Sequence, residues 1–162
     1  VDTKRKIVSA KELKQRIGRL RREGKKVVFT NGCFDILHFG HVSYLEAAKR
    51  NNRILVVGLN SDSSVRKIKG QKRPIVPQKE RAVLVAALEC VDLVTIFDEE
   101  TPLKLIQFLR PDILVKGADW KGKEVVGSEV VKSAGGKIEL ISYMNKYSTT
   151  KIIESIIKKC KS

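Results

Sequence analysis

Between Lys26 and Arg50 the chain reads KVVFTNGCFDILHFGHVSYLEAAKR, and this stretch limits the possible folds more than any other. Its apolar run Val27-Val28-Phe29 is too short for a helix and rich in β-formers, which predicts a buried strand. Thr30-Asn31-Gly32 breaks the run with turn residues. Val42, Leu45, Ala47 and Ala48 then recur at helical spacing, so a helix is predicted to begin near Gly40. Strand, tight loop and helix in that order make the phosphate-binding corner of an open α/β sheet. The two histidines of the chain, His38 and His41, fall where this helix starts.

Histidines spaced i, i+3 in a first helical turn share a face. They point the same way as the unpaired backbone N–H groups of the helix N-terminus. Backbone donors, the positive helix end and two imidazole donors together suit an anion, and the helix end disfavours the charged imidazole. A zinc site is the rival reading, but it needs two more ligands, and no clustered Cys or acidic partner lies nearby. Two ordinary loop histidines are the third reading.

These residues match a known pattern. His38-Phe39-Gly40-His41 is the HxGH signature of the nucleotidyltransferase superfamily, preceded by Asn31-Gly32-Cys33-Phe34-Asp35. With LNSD (59–62), KGADW (116–120) and STTKI (148–152) in this order, the chain resembles the heptose 1-phosphate adenylyltransferases over about residues 7–157. The resemblance implies transfer of AMP from ATP to a heptose 1-phosphate, giving ADP-heptose and pyrophosphate for bacterial cell-surface polysaccharide. It implies His38, His41, Lys69 and Arg73 as the catalytic groups. The nucleotide-binding set it implies begins with Thr30, Asn31, Gly32, Phe34, Asp35 and Gly40. It continues with Asn60, Asp62, Arg81, Lys116, Gly117, Asp119, Ser148, Thr149 and Thr150. Mg²⁺ is expected with ATP, held mainly by phosphates and water, so no protein metal ligands are expected. A homodimer is also implied. The related alternative is a glycerol 3-phosphate-type cytidylyltransferase. Those enzymes carry an arginine shortly before the STTKI motif, where this chain has Tyr143-Met144-Asn145-Lys146, with Lys146 the nearest cation.

At 162 residues the chain is expected to form one domain, 1–162, with residues 1–8 a loose arm and 9–24 an N-terminal helix. No apolar run approaches the ~18 residues of a membrane span. The chain begins VDTKRKIV without a signal-like apolar segment, and its three cysteines are widely spaced. Both features fit the cytoplasm. Cys33 reads as a small buried side chain. The net charge of +15 raises a nucleic-acid-binding module as the non-enzyme alternative. The basic residues are dispersed, however, and aromatics are 6% of the chain and do not interleave with them as a base-stacking platform would. Steering of phosphorylated small molecules is the simpler use of that charge.

The rest of the chain alternates strand and helix. Ser9-Ala10-Lys11-Glu12 reads as a capping box, with Ser9 accepting and Glu12 reaching back, ahead of the stripe Leu13, Ile17 and Leu20. Arg53–Leu59 is the second strand, ending in Asn60-Ser61-Asp62, which can cap the next helix, face the ligand, or both. Residues 65–77, VRKIKGQKRPIVP, are expected to stay out of regular structure and close over phosphates with Lys69, Lys72 and Arg73. Pro77 opens a helix carrying Arg81, whose competing role is a surface salt bridge. Strands are predicted at 92–97, 112–115 and 137–143, and helices capped at Thr101-Pro102 and over 128–134. Trp120 either covers a base or packs. The final helix opens at Ser148-Thr149-Thr150, with Ile152, Ile153, Ile156 and Ile157 as its buried face; its hydroxyls serve as an N-cap or grip phosphates. Five strands with intervening helices predict a Rossmann-like, doubly wound parallel sheet.

Overall fold

Five parallel strands lie in the order β3-β2-β1-β4-β5 in the computed structural model of the chain, which describes residues 2–50, 52–118, 122, 124–142 and 147–160. They are β1 Lys26–Gly32, β2 Arg53–Asn60, β3 Leu93–Phe97, β4 Ile113–Gly117 and β5 Lys137–Ile141. The chain winds outward from β1 to β3, then crosses back to lay β4 on the other side of β1. The switch point is therefore β1/β4, where ligands of open α/β sheets sit outside the carboxyl ends of the strands. Among the described residues the β1–β2 ladder pairs seven residues, Lys26 to Gly32. The β1–β4 ladder joins Val28 to Ile113 and Phe29 to Leu114.

The α-helices among the described residues are α1 Ala10–Arg22, α2 Phe39–Ala48, α3 Asp62–Lys69, α4 Gln78–Ala87, α5 Leu103–Leu109, α6 Ser128–Ser133 and α7 Thr149–Cys160. Alternate residues of β1 feed two cores. Val28 packs with Tyr44 and Leu45 of α2 and with Ala82 and Val85 of α4. Val27 and Phe29 pack with Leu13 and Ile17 of α1, Leu105 and Ile106 of α5, and Val131 of α6. Burial on both faces explains why β1 and β2 read as continuous apolar runs rather than alternating ones. No described helix is long and apolar enough to cross a membrane.

Four local expectations need correction. The N-terminal arm is not loose. Val8 donates its N–H to the Val94 carbonyl at 2.9 Å, and the Lys6 ammonium donates to the carbonyls of Leu88 (3.1 Å) and Val91 (2.7 Å). The β3 edge offers unpaired backbone groups, and the arm covers them. The capping box is half made: Ser9 Oγ accepts from the Glu12 N–H at 3.2 Å, but the Glu12 carboxylate turns to Arg16 at 2.7 Å. The basic segment is helical through Lys69, because Ser61 caps α3 by accepting from the Ser64 N–H at 3.2 Å. Gly70, at φ 91°, ends that helix where a side chain would be strained. Finally, α7 buries no residue. It adds nothing to either core, and Ile156 and Ile157 remain 53% and 48% exposed. Helical spacing identified its apolar stripe but could not say whether a neighbouring surface would bury it.

Candidate active site

The turn after β1 is shaped by a close approach. A Cβ on Gly32 would meet the Phe34 ring at 3.0 Å. Phe34 itself takes the left-handed conformation, φ 44°, and tucks its ring against His41, centroids 5.0 Å apart. The chain then reaches His38, the N-cap of α2, whose carbonyl accepts the N–H groups of His41 (2.9 Å) and Val42 (3.2 Å). The two imidazoles stack at 3.8 Å with planes 18° apart. Gly40 between them is closely approached: a Cβ there would lie 3.2 Å from both the His38 ring and the Tyr147 Cβ, so either would have to shift by a few tenths of an ångström.

Burial, with some help from His38, pushes the His41 pKa down to about 4. Burial likewise lowers His38. Desolvation rather than the helix end is thus the main cause, and both rings are neutral at pH 7. The Nδ1 atoms of both are buried without a hydrogen-bond partner among the described residues. Such orphaned groups are rare in native proteins and cluster where a ligand or chemistry accounts for them.

A cavity of about 740 Å³ opens at the carboxyl ends of the strands. Of the residues expected at the site, its wall includes His38, His41, Asn31, Gly32, Phe34, Asp35, Asn60, Lys69, Arg73, Lys116, Gly117, Ser148, Thr149 and Thr150. The starts of α2 and α7 border the same space, held together by the Phe39 and Tyr147 rings at 5.2 Å. Ser148 also caps α7, its Oγ accepting from the Lys151 N–H at 3.2 Å. Lys116, 7% exposed, donates to Asn31 Oδ1 and bridges β4 to β1 beyond their ladder. Cys33 also lines the cavity. Burial raises its thiol, outweighing Lys69 and Arg81, so it stays protonated at neutral pH.

Other expected residues do not line the cavity. Thr30 is fully buried, its hydroxyl 2.8 Å from that of Tyr44, and Gly40 is buried inside the start of α2. Arg81 does not line the cavity, and its bond to Asp62 is not a surface salt bridge. At 0% exposure it donates to the carbonyls of Cys33 (2.5 Å), Asn60 (2.9 Å) and Val76 (2.8 Å). It also donates to Asp62 Oδ1 at 2.7 Å, which turns Asp62 inward as well. The sequence showed an arginine at the start of an amphipathic helix, but not that three carbonyls would converge on it. Asp35 lines the cavity, yet its carboxylate is engaged by protein. It accepts from the N–H groups of Ile75 (2.8 and 3.0 Å) and Val76 (2.8 Å) and from Arg73 Nε (2.6 Å). Burial alone would raise its pKa, but the Val76 and Ile75 amides and Arg73 outweigh it and leave the carboxyl below its usual range.

The wall also contains residues that sequence reasoning passed over: Tyr44, Ile68, Glu100, Thr101, Pro102, Val126 and Tyr147. Tyr44 stands one turn after His41, and 100–102 follow the end of β3, so the strand-end rule applied elsewhere would have found them. Asp119 and Trp120, and 143–146 with Lys146, lie outside the described residues. Among the described residues no group of three His, Cys, Asp or Glu is placed to hold a metal ion.

Residues 29–155 match the family described as cytidylyltransferase-like. The chain is 54% identical over 156 residues to the bifunctional protein HldE of Citrifermentans bemidjiense, covering 96% of this chain and 32% of that protein. It is 56% identical over 156 residues to the bifunctional protein HldE of Campylobacter jejuni subsp. doylei, again 96% and 32%. It thus spans about a third of the length of these curated relatives. Among solved structures, the lipopolysaccharide core biosynthesis protein from Thermoplasma volcanium superposes with a TM-score of 0.60 at 30% identity, covering 73% of this chain and 95% of that one. A pantoate-beta-alanine ligase from Francisella tularensis, TM-score 0.62 at 18% identity over 90% of this chain and 74% of that one, shares the fold.

Proposed function

The chain belongs to the cytidylyltransferase-like family, and from that premise we propose that it transfers AMP from ATP to a heptose 1-phosphate, releasing pyrophosphate and forming ADP-heptose. The observation that carries this reading is the stacked, neutral pair His38 and His41 at the start of α2, facing a cavity that the start of α7 also borders. Identity above 50% to proteins named HldE and the order of the four sequence motifs support the choice of substrates.

The attacking group would be a phosphate oxygen of the sugar phosphate, already ionised near neutral pH, so no general base is needed. It forms a bond to the α-phosphorus of ATP as the bond from that phosphorus to the bridging oxygen breaks. The electron pair leaves with pyrophosphate. The protein's task is then alignment and stabilisation of charge. The imidazoles would donate to phosphate oxygens from fixed positions. Lys69, at the end of α3, and Arg73 would balance the triphosphate charge. Ser148, Thr149 and Thr150 would hold the outer phosphates at the α7 N-terminus, and Lys116 and Gly117 would border the nucleoside.

Mg²⁺ fits this wall only as a passenger of ATP. Asp35 is committed to protein donors, and Glu100 is the other carboxylate among the described lining residues. Phosphate oxygens and water would therefore hold the ion, which neutralises phosphate charge when bound. The same reading has the protein acting in the cytoplasm as a homodimer, with small phosphorylated substrates rather than nucleic acid answering its positive charge.

The test is pyrophosphate release with ATP or CTP against heptose 1-phosphate and glycerol 3-phosphate. ATP with heptose 1-phosphate is expected to be fastest. Equal or faster turnover of CTP with glycerol 3-phosphate overturns the assignment. Light scattering checks the dimer.

A further inference from the structure

Segment 70–77 bears the features of a mobile lid: a glycine, two prolines and two basic residues, Lys72 and Arg73, with Arg73 on the wall of the cavity. Its bonds describe something else. Asp35, 1% exposed, takes the N–H groups of Ile75 and Val76 and the Nε of Arg73 on one carboxylate, all at 2.6 to 3.0 Å. From the other side Arg81 grips the Val76 carbonyl at 2.8 Å and, through the Cys33 carbonyl at 2.5 Å, the turn that carries Asp35. The segment is thus pinned to the His38–His41 corner by bonds within the protein. Arg73 spends its Nε on Asp35, which sets the plane of the guanidinium and leaves its two terminal nitrogens for phosphate oxygens.

We propose that Asp35 is a positioning residue, whose buried carboxylate fixes the 70–77 segment in its closed place and aims Arg73 before substrate arrives. The loop then contributes by preorganisation rather than by closing on ATP. This rests on the nucleotidyl-transfer reading only for its effect on rate; the pinning itself is independent of the substrate.

Asp35→Asn is the informative change. The amide keeps the size of the carboxylate but has one acceptor atom and one donor group. Either orientation sets an N–H against Arg73 Nε or against the Ile75 and Val76 amides, so one side of the clasp must release. Two measurements test the proposal. The first is hydrogen exchange of the Ile75 and Val76 amides in the ligand-free wild-type protein. Slow exchange that ATP leaves unchanged is expected; fast exchange that slows only with ATP overturns the proposal in favour of a closing lid. This measurement needs no variant and stands whether or not Asp35→Asn folds. It also stands if the heptose assignment fails, which separates the two outcomes.

The second is a double-mutant cycle in turnover with Arg73→Ala, with thermal melting as the folding check. Asp35→Asn alone is expected to lower kcat about 10²-fold, as misplacement of a catalytic contact does, with KM for ATP little changed. In the Arg73→Ala background the same change is expected to cost less than about twofold, because the two act through one another. Multiplicative losses, or a raised KM with kcat intact, would show Asp35 acting on the ligand directly and refute the positioning role.

Discussion

Acid should destabilise this protein through His41, and the size of the effect follows from its burial. In the unfolded chain an imidazole titrates near 6.5, whereas in the fold His41 is pushed down to about 4. Between those values the unfolded state binds the proton and the folded state does not. Stability therefore rises with pH across this window and is lost as pH falls below about 6.5. The whole gap corresponds to about 3 kcal/mol, of which about 2 kcal/mol is lost between pH 7 and pH 5. For a domain whose total stability is roughly 5–15 kcal/mol, that is a large share. Urea unfolding at pH 7, 6 and 5 measures it in the wild type and in His41→Asn, which has no proton to take up. The variant has its own baseline, but its stability should change less with pH, by about 2 kcal/mol over the same interval. Parallel curves for the two proteins would refute the reasoning. So would an NMR titration of the His41 ring in the folded protein with a midpoint near 6.5.

Three further outcomes are expected. His41→Ala should lower turnover about 10²–10³-fold, as loss of one preorganised donor does, with ATP affinity and melting temperature nearly unchanged, and His41→Asn should recover part of the rate. Unchanged turnover would remove the imidazole from the chemistry. Lys69→Ala should slow pyrophosphate release without moving the melting temperature, since the side chain lies at the exposed end of α3; unchanged kinetics would return it to the surface. Arg53 pairs with both oxygens of Glu139 at 2.8 Å, which, against the opposing effect of burial, pulls that carboxyl down to about 2. Arg53→Ala should therefore melt lower at pH 7, with the difference from wild type closing as pH falls from about 4.5 toward 2; a constant difference would show that the ion pair is not its source.

What could be read from the sequence was whatever a short window determines. The strand at Val27–Phe29, the turn and the helix with its paired histidines follow from periodicity, and the polar ends of β2 and β4 follow from the strand-end rule. What escaped was set by contacts distant in sequence. Asp35 and Ile75 are 40 residues apart, and Cys33 and Arg81 are 48. No local pattern says that a carboxylate in a ligand loop will be consumed by backbone amides, or that a helix arginine will be wholly buried among carbonyls. The α7 stripe escaped for the converse reason: its spacing was plain, but among the described residues nothing packs over it closely enough to bury it.

Placing two histidines face to face has a consequence for how the work of the site is divided. Two imidazolium charges at the observed ring separation of 3.8 Å would repel by about 4 kcal/mol even at an effective dielectric constant of about 20. Burial adds a desolvation cost to each charge. Neutrality is therefore a condition of the stacked geometry, and each ring has one N–H rather than a positive charge to offer. Formal charge must come from elsewhere, and the cavity wall supplies it at its rim and side, from Lys69, Arg73 and Lys116. On this division direction and charge are separable. Substituting a rim cation should be partly offset by raising Mg²⁺, because either can neutralise phosphate oxygens. Substituting a histidine should not, because no mobile ion reproduces a hydrogen bond fixed in direction. Measuring turnover of Lys69→Ala and His41→Ala across a Mg²⁺ series distinguishes the two roles. Equal rescue of both variants would show that the histidines act as charge and would refute this division.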